Sequence, residues 1–205
     1  MKIYIVRHGQ TDFNVQKRFQ DSKSELSDEG IRQAEVLALR FQNIPIDKII
    51  SSPYKRTRHT AEIISKHINK DIEFNDLFHE TIAPSEFIGK ERMHPEVQEI
   101  IRQKKENIDN VHYRHSDEET IHDIKIRCLE GLEFLKIQGS ENILVVTHGA
   151  IINALVCLMM FGENVTGDEY IKFTKFHYME NTGITLVTYN EDWRLETWND
   201  KAHLG

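Results

Sequence analysis

Two short apolar runs, one at the start of the chain and one late in it, each break into a histidine followed by glycine. The first run, residues 3–6, leads into Arg7-His8-Gly9. The second run, residues 142–146, leads into Thr147-His148-Gly149. Runs of this kind, rich in β-branched residues, predict buried strands. Because open α/β sheets bind ligands at the carboxyl ends of their strands, we expect the two histidines to face each other across one pocket.

Elsewhere, apolar residues recur at helical spacing, which predicts amphipathic helices. The predicted helices span residues 27–41, 53–68, 116–139 and 150–160. Residues 48–50 predict a short strand, and residues 184–189 and 193–198 predict two strands joined by the turn residues Asn190-Glu191-Asp192. Residues 14–25 are typical of a polar surface loop. Residues 74–110 have the weakest pattern, with two helical pieces expected after Pro84-Ser85 and after Pro95.

Three of the predicted helices carry start signals. Ser27 is a candidate N-cap, Pro53 suits a first helical position, and residues 116–119 (Ser-Asp-Glu-Glu) form a candidate capping box. Arg56 would lie in the first turn of its helix, where a cation opposes the helix dipole. An anion held at that helix N-terminus would explain its placement.

The alternation of strands and helices, with a hairpin at the end, predicts an α/β fold. We expect a three-layer sandwich with a mainly parallel sheet, helices on both faces and an antiparallel edge. At 205 residues the chain fits a single domain, residues 1–205. Residues 83–115 would form a cap-like helical and loop insertion over the site.

Composition narrows the classes of partner. The net charge of −7 argues against nucleic acid or an anionic membrane as an obligatory partner, so any attraction for an anionic substrate must be local. Cys128 and Cys157 fall inside apolar helical patterns, so no disulfide framework is expected and a reducing cytoplasm is the predicted location. The first residues do not have the pattern of a signal peptide. The oligomeric state stays open.

Two histidines and two arginines near strand ends favour phosphoryl transfer. Arg7 and Arg56 would hold the phosphoryl oxygens, since a guanidinium matches phosphate geometry. A neutral imidazole can attack phosphorus and form a phosphohistidine, which divides one displacement into two. The alternative is that His8 and His148 are buried histidines that only close the strand ends, but their near-identical settings favour the functional interpretation.

Motifs along nearly the whole chain, except about residues 74–115, resemble one family in order and spacing. They are Arg7-His8-Gly9-Gln10-Thr11 with Asn14, Arg18-Phe19-Gln20, Leu26-Ser27 with Gly30, Gln33 and Ala34, Ser51-Ser52-Pro53 with Arg56, Thr60 and Ala61, Val146-Thr147-His148-Gly149, Asn181-Thr182-Gly183 and Trp198-Asn199-Asp200. This set is similar to the signature of the histidine phosphatase superfamily, the phosphoglycerate mutase-like proteins. The resemblance implies a phosphatase or mutase that uses no metal and no cofactor and acts on a small phosphorylated substrate through a phosphohistidine.

The resemblance also implies roles for individual residues. His8 would be the nucleophile, and Arg7, Arg56 and His148 would complete the phosphate pocket. Further phosphate-binding residues at the matching positions would be Asn14, Gln20 and Gly149. The family's proton donor is usually a glutamate after a short Leu-x motif, which makes Glu80 in Leu77-Phe78-His79-Glu80 the candidate acid. An alkoxide is a poor leaving group and requires such an acid. The alternative is that Glu80 is an ordinary solvated residue of a loop.

The sequence departs from the family pattern in ways that favour a phosphatase. Asp21 stands where the family usually has glycine, which adds a negative side chain near the site. The common Gly-x-Trp-Glu-Gly pattern is replaced by residues 83–87 (Ala-Pro-Ser-Glu-Phe), and the mutases' motifs are absent here. A phosphoglycerate-type mutase and a catalytically silent module that binds a phosphorylated ligand remain the alternatives.

The unmatched segment concentrates positive charge in an acidic chain. Its basic residues are Lys90, Arg92, Arg102, Lys104 and Lys105. We expect this segment to choose the substrate by attracting further negative charge on it; the alternative is that the cations lie on exposed helix faces. His112 and His115 form the closest histidine pair, but without cysteine or carboxylate ligands at metal spacing no metal site is predicted.

Overall fold

The two strands that precede the His-Gly motifs lie side by side at the centre of a six-stranded sheet. The computed structural model describes all 205 residues. The strands are β1 (Lys2–Arg7), β2 (Lys48–Ser51), β3 (Ile72–Phe74), β4 (Asn142–Thr147), β5 (Ile184–Asn190) and β6 (Asp192–Asp200). Their order is β3-β2-β4-β1-β5-β6, and the first four are mutually parallel whereas β5 and β6 form an antiparallel edge.

Helices cover both faces of this sheet. They are α1 (Asp12–Val15), α2 (Asp28–Phe41), α3 (Lys55–Ile68), α4 (Pro95–Glu106), α5 (Ile121–Lys136), α6 (Gly149–Phe161) and α7 (Gly167–Phe176). Single 3-10 turns occur at Asp76–Phe78, Ser85–Phe87 and Ala202–Leu204. None of the helices is long and apolar enough to cross a membrane.

Alternation along the central strands divides the core in two. On β4, Ile143 and Val145 pack into the cluster formed with α5, α6 and α7. Leu144 and Val146 point the other way, into the cluster formed with α2 and α3. A strand that is apolar on both faces must be covered on both, so the predicted α/β three-layer sandwich with a mainly parallel sheet is confirmed.

Several predicted boundaries are wrong for local reasons. α3 begins at Lys55 rather than Pro53, with Tyr54 as its N-cap. α5 begins at Ile121, because Thr120 and Asp123 form the capping box there. The expected box at residues 116–119 does not form, since the Glu118 carboxylate is fully buried and accepts hydrogen bonds from the backbone N–H groups of His115 and Ser116.

Three elements were not predicted from the sequence pattern. The one-turn helix α1 overlaps the expected loop and begins with a capping box between Thr11 and Asn14. The edge strand β3 has only three residues. Helix α7 is half polar and was not predicted, although Thr166 and Glu169 form a capping box at its start.

The segment expected to form a cap lies beside the loop that follows β1. Phe19 donates its backbone N–H to the carbonyl of Lys90 at 3.0 Å and accepts from the N–H of Gly89 at 2.9 Å. Arg92 donates its N–H to the carbonyl of Lys17 at 2.9 Å. The insertion is thereby attached to the chain stretch that runs from Asn14 to Asp21.

Candidate active site

Parallel pairing of β1 with β4 brings the two His-Gly motifs together. Arg7 lies opposite Thr147 in the register, and the backbone N–H of His8 donates to the Thr147 carbonyl at 3.0 Å. The rings of His8 and His148 are 5.3 Å apart between centroids, and both residues are buried. The two motifs therefore lie together at one end of the sheet, as the sequence predicted.

The ring of His8 is oriented by its own turn. Its Nδ1 lies 2.6 Å from the Gly9 carbonyl oxygen, which can only accept, so Nδ1 carries the proton and Nε2 keeps its lone pair. Burial, together with the positive charges of Arg56 and Arg7, lowers the pKa of His8 well below its usual value. The imidazole is thus neutral and has a free lone pair at neutral pH.

Arg56 lies fully buried against that lone pair. Its Nε donates to His8 Nε2 at 3.2 Å, and its Nη1 donates to the Asp21 carbonyl at 2.7 Å. Nη2 is buried and has no partner. Burial lowers the pKa of Arg56 to about 10, so the guanidinium stays charged at neutral pH. It therefore presents a cation and an unused N–H group at the nucleophilic edge of His8.

Arg7, like Arg56, has a nitrogen that donates a hydrogen bond and a buried nitrogen that has no partner. Its Nη1 donates to the Met179 carbonyl, whereas its Nε is buried without a partner. The side chain runs along Gly149, where an added Cβ would meet Arg7 Nε at 3.5 Å. Buried polar groups usually have hydrogen-bond partners in proteins, so an unpaired N–H on each of two arginines gives this site two donors suited to an anion.

His148 completes the pocket at the N-terminus of α6. Its Nε2 lies 2.8 Å from Ser52 Oγ, and its Nδ1 is buried without a partner. Burial and the nearby charge of Arg56 lower the pKa of His148 well below its usual value. Neither α3 nor α6 has a side-chain cap at its N-terminus, so unpaired backbone N–H groups, that of Gly149 among them, adjoin the site.

Asn14 and Gln20 also lie near His8. Asn14 Oδ1 accepts from the N–H of Thr11 and from Asn181 Nδ2, which itself donates to the His8 carbonyl at 3.0 Å. Gln20 Oε1 accepts from Thr11 Oγ1 at 3.0 Å. Since the oxygen of each amide is occupied, the NH₂ group is the part left to donate to an anion.

The turn after His8 can be this tight only because two glycines touch. A Cβ on Gly9 would lie 2.4 Å from the Gly30 carbonyl oxygen, and a Cβ on Gly30 would lie 2.0 Å from the Gln10 carbonyl oxygen. Gly9 also donates its N–H to Thr60 Oγ1 at 3.1 Å. The start of α2 and the middle of α3 thus fix the backbone that carries His8.

Asp21, the departure from the family pattern, has its carboxylate bound within its own loop. The carboxylate accepts from Ser24 Oγ at 2.8 Å and from the Lys23 N–H at 3.0 Å. Desolvation opposes ionisation, but these hydrogen bonds outweigh it and lower the pKa of Asp21. Asp21 acts on Arg56 in two ways: its backbone carbonyl accepts from Nη1, a contact that any residue can provide, and its charge raises the pKa of Arg56 against the effect of burial.

Glu80 stands at the mouth of the site, half-buried, after the Asp76–Phe78 turn. Its Oε1 accepts from the N–H of Thr81 at 2.9 Å. It does not hydrogen-bond to Arg56, yet its charge raises the pKa of Arg56 against the effect of burial. Glu80 is therefore close enough to act electrostatically on the pocket and is free of any ion pair.

Most cations of the inserted segment already have carboxylate partners. Arg102 pairs with Glu99 and Glu106, Lys104 with the buried Glu118 at 3.0 Å, and Lys90 with Glu96 at 3.4 Å. These ion pairs favour the alternative for Arg102 and Lys104, that their charges belong to the helix surface rather than to substrate binding. His115 is likewise paired with Glu86, at 2.7 Å.

Like Lys105, which is exposed on α4, Arg92 has no ion-pair partner in that segment. Its guanidinium lies over the ring of Phe19 at 4.6 Å. The residue is exposed overall, but protein crowds its guanidinium, and this desolvation together with Arg7 lowers the pKa of Arg92 while Glu80 opposes the shift. Arg92 is thus an unpaired cation within electrostatic reach of Arg7 and Glu80.

Two residues of the site were not identified from the sequence. The ring of Tyr54 lies 5.3 Å from the His148 ring, stacks on His79 and covers the Arg56 guanidinium. Burial raises the pKa of the Tyr54 hydroxyl. Asn181 links His8 to Asn14, and only its place in the Asn-Thr-Gly motif could have drawn attention to it. No group of three or more His, Cys, Asp or Glu side chains is arranged to hold a metal ion.

Proteins of one family are similar to this chain over nearly its whole length. The family model for the histidine phosphatase superfamily (branch 1) matches residues 3–201. The uncharacterized phosphatase PhoE of Bacillus subtilis is 28% identical over 98% of this chain and 96% of its own length. The probable phosphoglycerate mutase GpmB of Escherichia coli is 30% identical over 100% of this chain and 95% of its own length.

A solved structure shares the fold. The phosphoserine phosphatase of Entamoeba histolytica, in complex with 3-phosphoglyceric acid, superposes with a TM-score of 0.78 at 23% identity, over 99% of this chain and 98% of that one. With a family match over nearly its whole length, this chain belongs to the histidine phosphatase superfamily.

Proposed function

We propose that this protein is a phosphomonoester hydrolase that works through a phosphohistidine on His8 and uses no metal. One observation carries the proposal. Nε2 of neutral His8 accepts from the buried Arg56 and lies within electrostatic reach of the half-buried Arg7, and each of these arginines has a buried N–H group without a partner. A phosphoryl group bound there would satisfy both arginines and present its phosphorus to His8.

The reaction would proceed in two displacements. His8 Nε2 attacks phosphorus while the bond to the ester oxygen breaks, and Glu80 donates a proton to the departing alkoxide. Arg56 Nε, which contacts Nε2 in the free site, transfers its hydrogen bond to a phosphoryl oxygen. Glu80 then takes a proton from water, and the resulting hydroxide attacks the phosphohistidine, which releases inorganic phosphate and restores His8.

Phosphate release in the absence of metal is the first test. We expect a screen of sugar phosphates, nucleotides, phosphoproteins and a chromogenic aryl phosphate to show turnover that survives exhaustive chelation, because Arg7 and Arg56 supply the neutralising charge and His148 a further hydrogen bond. Activity lost on chelation and restored only by a divalent ion would contradict the proposal. Transfer of the phosphate to an acceptor, rather than to water, would favour the phosphoglycerate-type mutase. Binding of a phosphorylated ligand without turnover would favour the catalytically silent module.

Glu80→Gln tests the assignment of the acid. We expect kcat/KM for alkyl phosphates to fall by roughly 10²- to 10⁴-fold, the contribution of a general acid, because an alkoxide must be protonated to leave. An aryl phosphate needs little protonation, so its phosphorylation step should change far less. The measurement is kcat/KM for both esters with both enzymes, because this ratio includes the phosphorylation step but not the later attack of water, which Glu80 also assists.

Glu86→Gln is the matched control for that experiment. Glu86 follows Glu80 closely in sequence but is exposed and paired with His115, so this variant should turn over both esters like the wild type. Equal losses on both esters in Glu80→Gln would reject Glu80 as the acid.

Arg92 is the residue of the inserted segment that we assign to substrate choice. It rests on Phe19, lacks a carboxylate partner and lies within reach of Arg7 and Glu80. A second anionic group on the leaving portion of the substrate would therefore find an unpaired cation there. The relative GpmB is named for phosphoglycerate, an ester that carries such a group as a carboxylate.

Arg92→Gln should accordingly raise KM for an anionic ester. We expect an increase of roughly tenfold, since a hydrogen bond to a charged group contributes about 1.5 kcal/mol or more. KM for an ester with an uncharged aryl leaving group should hardly change. Arg102→Gln removes a cation of the same segment that Glu99 and Glu106 already neutralise, so it should alter neither KM; a comparable rise in that variant would assign the effect to general charge instead.

A further inference from the structure

We propose that the ion pair between Glu119 and Arg127 positions Glu80, and that these two side chains act on catalysis only through it. This inference rests on the proposed role of Glu80 as proton donor and extends it to residues that touch no substrate. The argument comes from how the loop that carries Glu80 is held.

That loop has almost no regular structure of its own. Apart from the single turn Asp76–Phe78, residues 75–84 belong to no helix or strand. A stretch without regular hydrogen bonding depends on side chains from elsewhere to fix its backbone. The position of the acid is therefore decided by whatever binds the carbonyl and N–H groups around Glu80.

Arg127, on α5, binds the loop on the N-terminal side of Glu80. Its Nη1 donates to the carbonyls of Leu77 and His79, each at 3.0 Å. The carbonyl between them, that of Phe78, accepts from Thr147 Oγ1, the last residue of β4. Three consecutive carbonyls before Glu80 are thus bound by side chains, two of them by one guanidinium.

Glu119 binds the loop on the other side of Glu80. Its Oε2 accepts from the N–H of Ile82 at 2.9 Å, and its own N–H donates to the Ile82 carbonyl at 3.0 Å. Glu119 and Arg127 are joined by two parallel hydrogen bonds of 2.8 Å, Nε to Oε1 and Nη2 to Oε2. The pair therefore holds the chain both before and after the acid.

Burial makes this arrangement stiff. The side chains of Arg127 and Glu119 are 12% and 11% exposed. A bidentate arginine–carboxylate pair of this kind has a fixed geometry, and Phe78 anchors the loop in the core beside it. A proton donor must lie within hydrogen-bond distance of the leaving oxygen, and a displacement of about 1 Å can cost on the order of 10²-fold in rate.

The test variant is Arg127→Gln, assayed with an alkyl phosphate that the wild type hydrolyses and with an aryl phosphate. We expect kcat/KM for the alkyl ester to fall by roughly 10- to 100-fold, as for other residues that orient a reacting group, and kcat/KM for the aryl ester to fall less than about threefold. Arg114→Gln is the matched control, since Arg114 binds the Glu118 carbonyl and Asp123 but no residue of the Glu80 loop. It should behave like the wild type on both esters.

The same substitution made in the Glu80→Gln variant separates a positioning role of Arg127 from general damage to the protein. If Arg127 acts through Glu80, adding Arg127→Gln to Glu80→Gln should cause no further loss on the alkyl ester. An equal loss on both esters, or a full further loss in the Glu80→Gln background, would overturn the inference. Should Arg127→Gln fail to fold, the double variant Glu119→Gln/Arg127→Gln leaves no buried charge unpaired and gives the same test.

Failure of the inference can be told apart from failure of the proposed function. If the wild type releases no phosphate from any ester, the proposed hydrolase is wrong. If it does, and Glu80→Gln shows the leaving-group dependence while Arg127→Gln does not, only the positioning role is rejected.

Discussion

Replacing His8 with alanine should abolish phosphate release from every ester. We expect a loss of roughly 10⁴-fold or more, the scale on which enzymes lose turnover when a nucleophile is removed. The neighbouring arginines would still bind phosphate in the variant, but no lone pair would remain between them. The measurement is kcat on an aryl phosphate, whose good leaving group makes residual activity easiest to detect.

Trapping adds a direct readout of the same prediction. Brief incubation with phosphoryl-labelled substrate should leave an acid-labile, base-stable adduct on His8. His67→Ala, which removes a histidine near the far end of α3, should keep both label and turnover. Label that persists in His8→Ala would place the nucleophile elsewhere.

The pH dependence of this nucleophile follows from its surroundings. Burial, Arg56 and Arg7 lower the pKa of His8 well below 6.5, the usual value for histidine. A lowered pKa means that the reactive neutral form persists as the pH falls through 6.5. Any acid limb that His8 causes in kcat/KM should therefore lie clearly below pH 6.5, and a limb centred at 6.5 would indicate a solvated histidine instead.

Arg56→Lys should cause the second largest loss. We expect kcat/KM to fall by roughly 10²- to 10³-fold, the cost of removing one preorganised donor for developing charge. Lysine keeps the charge but cannot contact His8, the Asp21 carbonyl and a phosphoryl oxygen at once, which the three nitrogens of Arg56 allow. The test compares kcat/KM on one aryl phosphate for wild type and variant.

Arg58→Lys controls for the chemistry of the substitution. Arg58 lies on the same helix, but its guanidinium covers the ring of Phe74, away from the pocket. This variant leaves the proposed phosphate contacts in place, so we expect it to retain wild-type kcat/KM. Equal activity of Arg56→Lys and wild type would show that Arg56 contributes only its charge.

The sequence predicted what depends on short-range pattern. The apolar runs before His8 and His148 fixed two strands and the end at which they terminate, and pairing of those strands was enough to bring the histidines together. The position of Arg56 in a first helical turn pointed to an anion, and its buried, unpaired Nη2 agrees with that interpretation.

What the pattern did not predict depends on long-range partners. The carboxylate of Glu118 looked like part of a helix cap, yet it is buried because Lys104 and two backbone N–H groups compensate its charge. Likewise, the sequence does not show whether a basic residue has a carboxylate beside it in the folded protein. Only the fold distinguishes Arg92, which has no such partner, from Arg102, which has two.

The two hydrogen bonds between Ile82 and Glu119 have a consequence for the evolution of this protein. The chain enters the segment at Ile82 and returns beside it at Glu119, where the two residues exchange hydrogen bonds. Closing a loop costs free energy that grows only with the logarithm of its length, about 0.6 kcal/mol for each doubling. We therefore expect the exposed stretches between them to tolerate insertion or deletion, as long as the hydrogen bonds of residues 89–92 to Lys17 and Phe19 are kept.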